Sequence, residues 1–311
     1  MSSLREVKDR IASVRSTLKI TSAMKLVASS KLRKAQRAIE SLRPYEETLN
    51  SILAAVGSPA LLTTVSNGSK KVENVPEMAE KQSNWNKNGD FAPEDDVKPL
   101  TTVVIPFASN SSMCGAFNAN VIKKTLAVLK EVEGQVELWT FGRKVAEGMR
   151  KAGRPASRDF MHLVSHPDFE KVADLASELR ELRKDGEVGD VILVYNRFIS
   201  TGKQEIVAEH WGATVPSGVA DSEEDTDDKA FILEPSRESL LESLAPQVED
   251  LQLYAALLDS VASEHAARMV AMQAATDNGE SLLAELTLEY NKGRQQKITS
   301  EILDLVAGAE N

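Results

Sequence analysis

The sequence predicts an α/β protein in which a central domain with a mostly parallel sheet is carried by a long antiparallel coiled coil of the N- and C-terminal helices. Three observations predict this. The two chain ends carry apolar residues at helical spacing without a helix breaker, the ends bear opposite charge, and the stretch between them alternates β-branched runs with helical ones.

The first helix comes from the heptad pattern. From Leu4 to Leu42, positions a and d fall on Leu4, Val7, Ile11, Val14, Leu18, Thr21, Lys25, Ala28, Leu32, Ala35, Ile39 and Leu42. A stripe of this period needs a second helix to cover it. No proline precedes Pro44 and no glycine precedes Gly57, so the helix can run about 50 residues, or about 75 Å. Near the other end no proline occurs from about Gln247 to Ala307, and Leu251, Tyr254, Leu258 and Val261 recur at helical spacing, as do Leu282, Leu286, Ile298, Ile302 and Leu305. Residues 1–45 hold eleven Lys or Arg against three acids, a balance of +8, whereas residues 247–311 hold four against eleven, a balance of −7. Opposite charges favour pairing of the two ends with each other over pairing of either with its own copy. A scaffold that dimerises through the same helices is the competing reading.

Between the helices, Thr101–Ile105, Val136–Phe141 and Val191–Tyr195 read as strands, separated by helical stretches near residues 117–132, 143–152 and 170–184. Strands alternating with helices give a Rossmann-like layout with a mostly parallel sheet, and a further strand near Glu205–Trp211 is expected at an edge. Residues 57–99, rich in Ser, Asn, Lys, Glu and Pro, and Asp221–Asp228, with six acids in eight residues, read as solvated linkers. The expected division is a first coiled-coil helix at 1–57, an insertion at 58–99, the α/β domain at 100–246 and the second coiled-coil helix at 247–311.

Composition narrows the function. A chain of 311 residues with 42% hydrophobic content can bury a core, and a net charge of −10 gives no general attraction for nucleic acid or anionic lipid. Cys114 is the only cysteine, as expected in a reducing compartment. No apolar run approaches the roughly 20 residues that span a bilayer, and the N-terminus lacks the apolar core of a secretory signal. The basic first forty residues resemble a transit peptide, but their heptad spacing is that of a permanent helix, so a soluble, cytoplasmic protein is expected.

No catalytic constellation stands out. There is no phosphate-binding Gly-rich loop ending in Gly-Lys-Ser or Gly-Lys-Thr, and no GxGxxG follows a predicted strand. His162 and His166 are four residues apart, as two metal ligands on one helix face would be, yet HLVSHP reads as a loop before a helix, with no nearby carboxylate motif and no cysteine partner. His210 and His265 are isolated. Cys114, between a strand and a helix, is the one enzyme-like feature, but without an activating base it reads as a small packed residue at a tight turn. Lys31, Arg33, Lys34 and Arg37 would suit a nucleic-acid backbone, but the apolar seam and the acidic last helix favour a partner helix.

The end helices, read together, resemble the gamma subunit of bacterial-type rotary ATP synthases. Lys19-Ile-Thr-Ser-Ala-Met-Lys-Leu-Val-Ala28 is similar to that family's Lys-Ile-Thr-x-Ala-Met-Lys-x-Val-Ala, and Lys31-Leu-Arg-Lys-Ala35 follows it. Thr21 and Lys25 of this motif interrupt the apolar seam, which points to contact with something else at that level. On the last helix, Ser263-Glu-His-Ala-Ala-Arg-Met-Val-Ala-Met272, Ala275-Thr-Asp-Asn278 and Ile298–Ala309 resemble the family's patterns. In the middle, Met113-Cys-Gly-Ala-Phe-Asn118 fits Leu-Cys-Gly-x-Phe-Asn, with Asn110-Ser111-Ser112 in place of the usual Asp-Arg-Gly. The resemblance omits residues 58–98 and the cysteine pair of chloroplast members.

The resemblance implies a non-catalytic rotor shaft, peripheral to the cytoplasmic face of a bacterial inner membrane, with no cofactor, metal, nucleic acid or membrane insertion of its own. Its implied partners are the ring of α and β subunits, the epsilon subunit and the c-ring. Residue by residue, it implies contact of Met24, Lys25, Arg268, Arg294, Gln295, Thr299 and Glu301 with the α/β ring. Ile302 to Ala309 would form a shaft tip in an apolar bearing, and Phe231, Leu233 and Glu234 would meet the c-ring and epsilon.

Overall fold

The computed structural model describes residues 4–56, 100–212 and 237–309. Helix α1 spans Leu4–Val56. The domain follows as β1 (Thr101–Pro106), α2 (Phe117–Glu131), β2 (Val136–Thr140), α3 (Arg143–Lys151), β3 (Arg158–Asp159), α4 (Met161–Ser165), α5 (Phe169–Lys184), β4 (Val188–Ser200) and β5 (Lys203–His210), and α6 spans Arg237–Ala309. The linkers at 57–99 and 221–228, and Phe231, Leu233 and Glu234, lie outside the described residues.

The strands form one five-stranded sheet in the order β3-β2-β1-β4-β5. The first four run parallel and β5 returns antiparallel along β4, so the expected edge strand is an edge hairpin. Central β1 is hydrophobic on both faces, as a strand covered by helices on both sides must be. On one face Val104 packs with Val121 and Val128 of α2 and Val145 and Met149 of α3. On the other, Val103, Ile105 and Phe107 pack with Val172 and Leu179 of α5, Leu32 and Ile39 of α1, and Leu253, Leu257 and Ala262 of α6. The coil is therefore part of the domain's core at its lower half.

Gly142, between β2 and α3, has φ +109°, and a Cβ there would sit 2.2 Å from the Ala108 carbonyl oxygen. Only glycine lets the chain turn this close to the β1 exit.

The heptad reading of α1 holds: none of its twelve a and d residues is exposed. The chain ends run antiparallel, because partners on α6 fall in number as those on α1 rise: Leu4 lies by Gly293, Leu18 by Gly279, Thr21 by Thr276 and Lys25 by Gln273. The two glycines sit where leucines of α1 enter the interface, and a Cβ at Gly279 would meet Leu18 Cδ2 at 2.7 Å.

The second half of α6 departs from the expected stripe. Leu282, Ile298 and Ile302 are exposed, and the covered seam runs through Met272, Thr276, Gly279, Leu283, Leu286, Tyr290 and Gly293, with Thr287 beside it. This alternation of three and four residues includes small and polar groups that an apolar count passes over. α6 also starts about ten residues before the expected Gln247 and continues through Pro246. Arg180 ties that segment down, donating to the Pro246 carbonyl at 3.2 Å and to Asp250 at 2.6 Å. Leu49 packs on Val248 and Leu251 beside it, which helps offset the roughly 3 kcal/mol that an internal proline costs.

Candidate interaction surface of the coil and its junction with the domain

Above the domain the coil projects as two helices. Its polar seam positions are satisfied internally: Thr276 Oγ1 donates to Thr21 Oγ1 at 3.0 Å, both side chains being buried, and Lys25 Nζ donates to Gln273 Oε1 at 2.7 Å. Each of these polar groups finds a partner on the facing helix, so the break in the apolar seam is compensated within the coil. A single polar layer of this kind fixes the register of two helices. Met24 and Lys25 are half-buried at that level.

Just outside the domain, large apolar side chains turn outward on both helices. Leu26 is 68% exposed, Val27 56% and Val270 49%. Beyond Gly293, which faces Leu4, α6 continues without a partner helix among the described residues. Arg294, Gln295, Thr299 and Glu301 are exposed there, with Thr299 Oγ1 donating to the Gln295 carbonyl at 2.9 Å and Glu301 3.6 Å from Lys297.

Arg268 sits elsewhere. It is buried at the junction of coil and domain, where Nη1 donates to Glu264 at 2.5 Å and Nη2 donates to Ser111 Oγ at 2.7 Å and the Ser112 carbonyl at 3.3 Å. Asn110 completes the anchor, donating to the Met161 carbonyl and Ser165 Oγ and accepting from the Arg143 N–H. The Asn110-Ser111-Ser112 trio thus locks the β1–α2 loop to α6, α4 and α3. Burial raises the Glu264 carboxyl, and Arg268 opposes that rise. Burial, with Arg268 and Lys31 adding to it, lowers the neighbouring His265 to about 4, so its ring is neutral near pH 7.

Lower on α6, Ser260 donates to the Phe107 carbonyl and Ser263 to the Asn196 carbonyl, seating the helix on the carboxyl ends of β1 and β4. Arg183 pairs with Glu249 at 3.3 Å and stacks over Trp211, while Trp211 Nε1 donates to the Glu249 carbonyl. Sequence reasoning missed these clamps. Arg180 and Arg183 show only as a basic pair on a helix, and nothing in their spacing names acids some 66 residues away.

Cys114 is 1% exposed and accepts from Asn118 Nδ2 at 3.1 Å. Two residues of its loop are left-handed, Met113 at φ +69° and Gly115 at φ +59°. HLVSHP is not a loop throughout: Met161–Ser165 form the short helix α4, and His166 lies just past its end. Among the described residues no group of three or more His, Cys, Asp or Glu is placed to hold a metal ion. No described helix is long and apolar enough to cross a membrane.

Comparison with known proteins agrees with this architecture. A family model described as ATP synthase matches residues 3–311. The ATP synthase gamma chain of Phocaeicola vulgatus is 42% identical over 316 residues, covering 99% of each chain. That of Flavobacterium johnsoniae is 37% identical over 311 residues, covering 100% of this chain and 99% of the other. Among solved structures, a chain of the Euglena gracilis mitochondrial ATP synthase rotor covers 95% of this chain and 98% of its own length, with a TM-score of 0.56 at 18% identity. A chain of the Tetrahymena thermophila central stalk and c-ring gives 0.53 at 19% identity, covering 82% of this chain and 99% of that one. At such identities the structures speak for the fold.

Proposed function

The chain belongs to the ATP synthase gamma-chain family, a central-stalk subunit, and from that premise we propose that it is the rotor shaft that couples ion-driven c-ring rotation to ATP synthesis and hydrolysis at the β subunits. The observation that carries this reading is the asymmetric rod: two helices locked in register, then a single helix beyond Gly293 among the described residues. A shaft whose faces differ presents a different surface to each surrounding site as it turns, and a site that binds one surface better in one conformation shifts toward that conformation. The chain itself performs no chemistry in this scheme.

In this reading Met24, Lys25 and the exposed Leu26, Val27 and Val270 face the α/β ring at one level, and Arg294, Gln295, Thr299 and Glu301 face it at the tip. Exposed polar groups with few internal bonds can exchange partners as the shaft turns. Arg268, whose donors are committed to Glu264, Ser111 and Ser112, would act mainly by holding the coil to the domain. Phe231, Leu233 and Glu234 are proposed to meet the c-ring and epsilon subunit, with the complex at the cytoplasmic face of a bacterial inner membrane. The test is reconstitution with α and β subunits of the same organism. A single complex on a sizing column with raised multi-turnover ATP hydrolysis is expected, and failure to bind or to change the rate would overturn the reading.

A further inference from the structure

Coil and domain leave a cleft of ≈ 540 Å³ where they meet, between α1, the β1–α2 loop, the α4–α5 connection and α6. Three cationic side chains line it: Lys31 and Lys34 from α1 and Arg268 from α6. Glu264 is the only carboxylate in the lining, and Arg268 already holds it. No ion pair of Lys31 or Lys34 occurs among the described residues. Lys31 lies close enough to act electrostatically on both Glu264 and His265. The cleft therefore carries about two uncompensated positive charges, in a concavity where low-dielectric walls strengthen their field.

Neutral hydrogen-bonding groups complete the lining. Asn110, Ser111 and Ser165 come from the domain side, and the buried Nδ1 of His265 has no hydrogen-bond partner. The ammoniums of Lys31 and Lys34, with the Arg268 charge on the opposite wall and the Ser111 and Ser165 hydroxyls between them, form a receptor for a compact oxyanion with several acceptor oxygens. Tyr254, Leu258 and Val261 add an apolar wall on α6.

We propose that this cleft binds a small multivalent oxyanion of the phosphate class, held by Lys31 and Lys34 of the coil against the Ser111 hydroxyl of the domain and the unpartnered His265 ring, with Arg268, whose donors are already bonded, adding only its charge. The phosphate group has two possible sources. One is a free inorganic ion, and the other is a nucleotide whose base rests on the apolar wall. Because the grip spans coil and domain, occupancy ties the two together and stabilises the folded chain by mass action. The proposal is independent of the rotor reading, since it concerns the isolated chain.

The experiment is calorimetric titration and thermal melting of the full chain with inorganic phosphate, pyrophosphate and ADP, against chloride at equal ionic strength. Saturable binding and a raised melting midpoint are expected. The Lys31→Gln/Lys34→Gln double variant, altered at two exposed positions, should melt normally without ligand and bind at least about tenfold more weakly, whereas Lys31→Arg/Lys34→Arg should retain binding. ADP binding tighter than pyrophosphate identifies the nucleotide as the source, and the reverse identifies the free ion. The proposal is overturned if none of the three saturates, if the Gln variant binds as well as wild type, or if an Asp/Glu-rich peptide binds there and the phosphates do not.

Discussion

Arg268 joins a charge on its own helix to a loop of the domain 157 residues away. Removing it strands Glu264, a buried carboxylate, without its cation. Arg268→Ala is expected to cost about 3–5 kcal/mol, as breaking one partner of a buried pair does. The same principle says that replacing both partners by apolar groups is far milder, so Arg268→Met with Glu264→Leu should recover much of the loss in denaturant unfolding. The Thr21–Thr276 layer obeys similar logic without charge. Either single change to valine should cost about 1 kcal/mol, and the double change should be less than additive, because no hydroxyl is then left facing an apolar partner. A denaturation double-mutant cycle reads the coupling directly.

At the scale of elements, α6 carries a half-buried acid against the end of β4. Burial lifts the Asp259 carboxyl from 3.8 to about 6, with Arg43 and Arg197 opposing. A carboxyl raised in the folded state holds its proton more tightly than the unfolded chain does. Its stabilising contribution is fully present below about pH 4 and is lost as pH rises through about 6. The difference amounts to at most about 3 kcal/mol, at about 1.4 kcal/mol per tenfold in proton affinity. His265, lowered to about 4, contributes stability that is lost as pH falls, so it opposes Asp259 in the same window and the informative comparison keeps it constant. Asp259→Asn should be more stable than wild type above pH 7 and should lose that advantage toward pH 4, as followed by urea midpoints across pH. The β2–α3 turn has less freedom. Gly142→Ala would drive a Cβ into the Ala108 carbonyl from a left-handed backbone, and a loss of more than about 2 kcal/mol is expected.

At the scale of the whole molecule, α6 has 73 residues, about 110 Å of helix, and outlasts α1 by the segment after Gly293. Since that tip has no partner helix among the described residues, ending the chain at Gly293 should leave the unfolding free energy within about 0.5 kcal/mol of wild type. In the reconstituted complex the same truncation should lower coupled hydrolysis, which separates a functional tip from a structural one. The sequence by itself determined the long helices, because a heptad stripe and the lack of breakers are local and each residue of α1 reports its own face. It also determined the strand–helix alternation, through β-branched runs bounded by turns. The true stripe of the second half of α6 was hidden, since Thr276, Gly279 and Gly293 are covered by the shape and polarity of α1 and carry no hydrophobic signal of their own. Only the tertiary structure decided that Thr21 meets Thr276, that Arg268 faces inward to Glu264 and Ser111, and that Arg180 and Arg183 clamp Glu249 and Asp250. Those pairings join residues far apart in the chain, and which polar group satisfies which is fixed only when packing of the apolar core brings the elements to their final separations.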